Sequence, residues 1–490
     1  MFSKITPEQA GISSDDVLNF FETMDDYGFS THSIIMAKDN NIFCECYYRP
    51  YNKTSLNRVY SVTKSFVSIA IGFLIDEKKL SLDDKFIKFF PEKNCASEFM
   101  KNQTIRDMLT MQTSFKDSKH WIDKNLSDRT DWYFTENAAN IQPSGYLFEY
   151  DSHGSYMLCV IIERITGMPF YEYLRKKCLA KLGVSDASYC LKAAGKNSWG
   201  DSAVLCTSRD LLKFASFVLN GGRTPNGEQL LSESYVKDAV SPLVFNGKTG
   251  FTNCDERGYG YQIWRMFDDC FAFVGMGEQY AVCVPEKNAV FVITSDNQGN
   301  DDARPLIMHM LYYGIIKKMS DPLCENQNAQ KRLQNYIDSA ELYCPKSSIN
   351  PNTVHSINNK KYILYKNPMQ IEYVKFNFSN DVCELEYKNA QGIKHLKFGL
   401  NKNVFSKFPQ TGYSDETGGV SSKNNRYSCA AGACWVESAK LFIKVQITDK
   451  YLGNLNITVS FNKNNIALKT ASFAEGFLNE YNGYAAGVCD

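Results

Sequence analysis

The sequence predicts an α/β chain of the α+β kind: an antiparallel sheet flanked by helices with a helical subdomain set into it, then a separate antiparallel β domain. Three observations carry this. Strand and helix patterns open the chain and return at 261–318, with mostly helical signals between about 62 and 220. Short alternating runs separated by Asn, Lys and Gly clusters dominate from Tyr362 onward. The 490 residues are 44% hydrophobic and 22% charged, ordinary globular composition with enough apolar material for more than one core. The expected division is 1–318, a linker at 319–360 and a β-rich domain at 361–490.

Ser13 and Ser14 stand ahead of Val17, Leu18, Phe20, Phe21 and Met24, a capped helix with one apolar face. Ser33 to Ala37, the turn Asp39-Asn40-Asn41 and the alternating run Ile42 to Tyr48 read as a hairpin. After the helical block, strands are expected at Tyr261 to Trp264, Phe271 to Val274, Gln279 to Val284 and Ala289 to Thr294, and a helix from Asp302 to Lys318. In the last third, strands are expected at Ile371 to Phe378, Cys383 to Tyr387, Leu441 to Ile447 and Leu455 to Phe461.

Lys+Arg and Asp+Glu are both 54, so the formal charge is zero. A nucleic-acid or anionic-membrane protein needs a basic surplus, so neither partner is expected. The longest apolar run, Phe66 to Ile75, is too short to span a bilayer. The first residues carry no apolar signal segment, which points to a cytoplasmic protein. In that compartment the 16 cysteines read as free thiols and not as a disulfide framework. With no C-x-x-C, no H-E-x-x-H and six scattered histidines, no metal or organic cofactor is expected.

Ser61-Val62-Thr63-Lys64 immediately precedes an apolar helical pattern (Phe66, Ile69, Ala70, Phe73, Leu74). Positions i and i+3 share a helix face, so the Ser hydroxyl and the Lys amine can touch. An unprotonated Lys there can draw the Ser proton, the Ser–Lys form of nucleophilic catalysis. The pattern recurs at Ser234…Lys237 and Ser460…Lys463, so spacing alone does not choose among the three.

Context does choose. Arg58 to Phe66 followed by Leu80-Ser81-Leu82-Asp83-Asp84 resembles the nucleophile region of the serine β-lactamase-related hydrolases. That family includes class C β-lactamases, D-amino-acid peptidases, and esterases and amidases of the nylon-oligomer hydrolase type. Thr104 to Met111, Phe148-Glu149-Tyr150-Asp151-Ser152 with its helix ending Ile165-Thr166-Gly167, Ser208-Arg209-Asp210-Leu211 and Tyr259 to Trp264 are similar to further family segments, in the family's order. The likeness spans roughly residues 5 to 318. It implies a β-lactamase/transpeptidase-like fold, Ser61 as nucleophile, and Lys64 with Tyr150 as general-base pair. Ser152, two residues beyond Tyr150, faces the same side if that stretch is extended.

The third family element has two candidates. Lys248-Thr249-Gly250 spells a known form of it but precedes Tyr259 to Trp264, whereas the family's element follows that segment; Lys248 is therefore set aside. Gly275-Met276-Gly277-Glu278-Gln279 resembles the Gly-rich form of the esterase and amidase branch, and with Ser61 it implies the oxyanion-binding amides. Glu278 stands where the family usually has Gly. Without a Lys in this element a substrate carboxylate has no obvious partner. The expected function is thus a serine hydrolase cleaving a small ester or amide, with a small-molecule acyl substrate and scope for a homo-oligomer. A true β-lactamase or D-amino peptidase, and a non-catalytic binding protein on the same fold, stand as alternatives. His32 and His153 are expected to be structural or rim residues and not general bases, Trp199 to pack in the core, and Asp131 and Trp132 to be marginal candidates for substrate contact.

Overall fold

The computed structural model describes residues 2–94, 97–114, 128–134, 142–247, 257–349, 351 and 353–489. The chain divides into two compact units. The first comprises Met1–Ser295, Asp302–Glu341 and Glu416–Gly419; the second comprises Asp296–Asp301, Leu342–Asp415 and Val420–Asp490.

The first unit is built on a seven-stranded sheet in the order Ser3–Lys4, Asn41–Tyr47, Thr31–Lys38, Ala289–Ser295, Gln279–Val284, Phe271–Gly275, Trp264–Arg265. All neighbours are antiparallel except the short parallel edge strand Ser3–Lys4. The hairpin forms where expected, with Asp39 and Asn40 at φ 50° and 59°, the backbone twist that suits a two-residue turn. Val17, Phe20, Phe21 and Met24 of helix Ser14–Asp26 share one core with Ile34, Met36, Val282, Phe291, Ile307 and Leu311. Helix Ser208–Leu219 lies against strands Thr31–Lys38, Gln279–Val284 and Ala289–Ser295, and its Phe214 stacks on Phe66 at 3.8 Å and meets Phe273 at 5.5 Å. Strands covered on both faces are buried throughout, which is why Phe271–Gly275, Gln279–Val284 and Ala289–Ser295 read as nearly unbroken apolar runs.

Three expectations are corrected. The strand expected at Tyr261 to Trp264 is reduced to Trp264–Arg265, because Gln262 takes φ 59° and its amide donates to Leu109 O at 3.0 Å instead of joining a ladder. The helical block also holds two short strands, Val204–Cys206 and Tyr189–Cys190, which form a three-stranded sheet with Asn57–Arg58 just ahead of it. Residues 319–360, expected as a linker, carry helix Gln327–Ser339, whose Tyr336 stacks on Phe21 at 5.3 Å.

The second unit is a closed barrel. Nine strands follow one another in antiparallel pairing, and a parallel contact of Gly399–Leu400 with Gly432–Ala433 completes the ring; Val404–Lys407 pairs outside it. Along the barrel strands alternating residues such as Leu441, Ile443, Val445, Leu455, Ile457 and Val459 are buried. The 14 cysteines among the described residues are free thiols, and no helix among those residues is long and apolar enough to cross a membrane.

Candidate active site

Ser61 lies in the tight turn Tyr60–Val62, which runs straight into helix Thr63–Asp76. Tyr60 has φ 45°, a costly conformation for a residue with a side chain, so the surroundings must hold it. The fully buried Arg58 guanidinium does so, sitting 4.3 Å from the centroid of the Tyr60 ring and 4.4 Å from that of Trp199. Val59 N donates to Val204 O at 2.9 Å and Val204 N to Thr63 Oγ1 at 3.0 Å, stitching the turn to the small sheet.

Lys64 is 1% exposed. Its Nζ lies 2.9 Å from Ser61 Oγ and donates to the main-chain oxygen of Asp201 at 2.7 Å. Among the described residues it has no carboxylate partner. An unprotonated amine so placed keeps a lone pair for the hydroxyl proton while still donating to Asp201. The other two S-x-x-K patterns are elsewhere: Ser234 and Lys237 are exposed on the short helix Glu233–Ala239, and Ser460…Lys463 ends a barrel strand.

Tyr150 arrives on an extended stretch anchored by Glu149 N donating to Met111 O at 2.9 Å and Asp151 N to Met111 Sδ at 3.2 Å. Its ring centroid is 5.1 Å from Lys64 Nζ, and the ring stacks on Trp264 at 5.7 Å. Extension stops at Asp151. Ser152 is the first residue of helix Ser152–Thr166, so the alternation expected to put it on Tyr150's side does not continue to it. Buried Asp151 accepts from Thr113 Oγ1 at 2.8 Å, and burial pushes its carboxyl value up.

Gly275 pairs with Gln279, and Met276-Gly277-Glu278 form the connecting loop. A Cβ on Gly275 would stand 2.3 Å from Val59 O, so only glycine lets this strand end lie against the turn that carries Ser61. Gly277 and Glu278 both have positive φ, 76° and 67°. Ser295 Oγ lies within hydrogen-bond distance of Gly277 O (2.7 Å) and Glu278 O (2.9 Å), while Gln279 Nε2 donates to Met276 O at 3.2 Å and to Ser295 O. Lys248-Thr249-Gly250 lies outside the described residues.

Two features escaped the sequence reading. Gln262, 2% exposed, binds three segments: its carbonyl accepts from Ser65 Oγ (2.8 Å), its Oε1 from Ser155 Oγ (2.6 Å), and its Nε2 donates to Met108 O (2.9 Å) and Leu109 O (3.0 Å). It stood in plain view inside Tyr259 to Trp264, but nothing in the pattern set it apart. The second is a buried ion pair, Arg129 Nη1 to Asp201 Oδ1 at 2.6 Å, beside the carbonyl that holds Lys64. His32 and His153 are both buried. His32 stacks on Tyr51 at 4.0 Å and burial drops it to about 3; burial holds His153 well below the ordinary range too, and it stacks on Trp132 at 4.4 Å. Asp131 pairs with Lys93.

The model of the family described as Beta-lactamase matches residues 19–313. The 6-aminohexanoate-dimer hydrolase of Paenarthrobacter ureafaciens is 25% identical over 256 residues, covering 48% of this chain and 64% of that protein, so the chain spans less than two thirds of that relative. Among solved structures, the octameric penicillin-binding protein homologue from Pyrococcus abyssi superposes with TM-score 0.51 at 16% identity, over 96% of this chain and 99% of that one. The D-amino acid amidase from Ochrobactrum anthropi SV3 gives TM-score 0.51 at 15% identity, over 62% of this chain and 99% of its own. At these identities the likeness speaks for the fold.

Proposed function

The chain belongs to the Beta-lactamase family, and from that premise we propose that it is a serine hydrolase cleaving a small ester or amide through an acyl-enzyme on Ser61. The observation that carries the proposal is the buried Lys64 Nζ, 2.9 Å from Ser61 Oγ and without a carboxylate partner among the described residues. Lys64, assisted by Tyr150, takes the Ser61 proton as Oγ attacks the carbonyl carbon. The tetrahedral oxyanion is held by the Ser61 amide and an amide at Glu278 or Gln279, and the leaving amine or alcohol departs with the transferred proton. The same pair then deprotonates a water that attacks the acyl carbon, and Ser61 leaves reprotonated.

The similarity to a 6-aminohexanoate-dimer hydrolase and a D-amino acid amidase supports an amide as substrate. Met276 in the third element offers no cation for a substrate carboxylate, which supports an uncharged acyl group. Assembly into a homo-oligomer belongs to the same proposal, supported by the octameric homologue. So does a reducing, cytoplasmic compartment, supported by the free thiols.

A serine-directed fluorophosphonate tests the reading by mass spectrometry, alongside a panel of p-nitrophenyl esters, short amides and β-lactams. We expect one adduct on Ser61, and loss of turnover by on the order of 10³-fold or more in Ser61→Ala. Absence of the adduct, or full activity in Ser61→Ala, rejects hydrolysis by Ser61 and favours a binding protein on this fold. Faster turnover of β-lactams or D-Ala peptides than of esters and neutral amides favours the carboxylate-recognising alternative.

A further inference from the structure

Among the described residues Lys64 Nζ has two hydrogen-bond partners, Ser61 Oγ and the main-chain oxygen of Asp201. The second fixes where the amine sits, so whatever holds the Asp201 peptide also sets the Ser61–Lys64 geometry. Two buried arginines hold the stretch that contains it. Arg58 lies over Trp199, donates from Nε to Ser202 O at 2.9 Å, and has Nη2 3.2 Å from Ser202 Oγ. Arg129 takes Asp201 itself, with Nη1 2.6 Å from Oδ1 and side chains 3% and 1% exposed. Its guanidinium is braced by the Tyr156 ring, 4.4 Å away, and its backbone amide donates to Ala194 O at 3.3 Å.

We propose that Arg129 and Asp201 are positioning residues: their ion pair fixes the Asp201 carbonyl, and through it the Lys64 amine, against Ser61. The inference rests on the hydrolase reading above. A fully buried ion pair contributes little net stability compared with an apolar pair of similar volume, while breaking it by removing one partner is costly. Its place one bond network away from the expected base is accounted for by geometry, since a displacement of about 1 Å at a reacting group is enough to cost on the order of 10²-fold in rate.

The test separates geometry from stability. Arg129→Met alone leaves the Asp201 carboxylate buried and unpaired, so the informative variant is Arg129→Met with Asp201→Leu, which removes both charges together. Asp201→Asn, which keeps the shape and an oxygen acceptor for Arg129 but leaves the guanidinium without its counter-charge, is the second variant, read only where its urea melt shows it folded. Urea melts, kcat and KM on a p-nitrophenyl ester, and the rate of Ser61 labelling by the fluorophosphonate are measured for each. We expect the double variant to melt near wild type while kcat and the labelling rate both fall about 10- to 100-fold and KM moves less than about twofold. Asp201→Asn is expected to fall in the same direction by a smaller factor. Wild-type kcat and labelling in a stable double variant, or in a stable Asp201→Asn, overturn the inference and leave the hydrolase reading intact. Failure of the wild-type protein to label at Ser61 overturns the hydrolase reading, and this inference with it.

Discussion

Single residues near Ser61 are constrained by the backbone as much as by their chemistry. Tyr60, Gln262 and Glu278 all hold positive φ, and each is held by neighbouring groups: Arg58 over the Tyr60 ring, the Leu109 carbonyl accepting from the Gln262 amide, and Ser295 Oγ at the Glu278 carbonyl. Glu278 standing where the family usually has glycine is consistent with this, since left-handed backbone is where glycine costs least. Gly275 offers the sharpest test. Its missing side chain is what allows the strand end to approach Val59 O, so Gly275→Ala must push the loop 276–278 away from the Ser61 turn. We expect a stability loss of about 1–3 kcal/mol in urea denaturation, together with a fall in the Ser61 labelling rate. Unchanged labelling would separate this loop from the proposed oxyanion-binding role.

At the scale of elements, capping decides where the helices that frame the site begin. Thr207 Oγ1 accepts from Asp210 N at 3.1 Å while Asp210 Oδ2 accepts from Thr207 N at 3.4 Å, a reciprocal cap on helix Ser208–Leu219. That helix covers one face of the central sheet through Phe214, so its start also sets where Phe66 of the Ser61 helix packs. Thr207→Ala is expected to cost about 1 kcal/mol, read as a shift in urea midpoint with an unchanged slope. The first helix start and the hairpin were legible because their signals are local: Ser13 and Ser14 ahead of an apolar face, and the turn Asp39-Asn40-Asn41, each lie within a few consecutive residues. The short strands Asn57–Arg58, Tyr189–Cys190 and Val204–Cys206 were not, because two or three residues carry no readable alternation.

Across the whole molecule, a buried acid makes stability depend on pH. Asp296 belongs to the second unit, where its main-chain oxygen accepts from Asn454 Nδ2 at 3.0 Å. Burial lifts its carboxyl from 3.8 to about 7, with Gln298 on Oδ1 only partly offsetting it. A carboxyl raised in the folded state binds its proton more tightly folded than unfolded. Its favourable contribution is therefore complete below about pH 4 and lost as pH rises through about 7. Asp296→Asn should flatten that decline, by on the order of 2–4 kcal/mol between pH 4 and 8 in urea melts. An identical pH slope in both proteins would show that Asp296 does not titrate in this range.

What the sequence determined by itself is whatever repeats within a few residues: the opening helix and hairpin, the barrel's alternating strands, and the possibility that Ser61 and Lys64, three apart where a turn runs into a helix, touch. Tertiary structure decided the rest. The carbonyl that holds Lys64 comes from a residue 137 positions away, and any residue type presents the same oxygen, so no side-chain signal marks it. Arg129 and Gln262 are ordinary polar residues until packing buries them among fixed partners. Gly275 is one glycine of 30 until the sheet brings it against Val59. Local periodicity encodes contacts along one element, whereas contacts between distant backbones are set by how those elements pack.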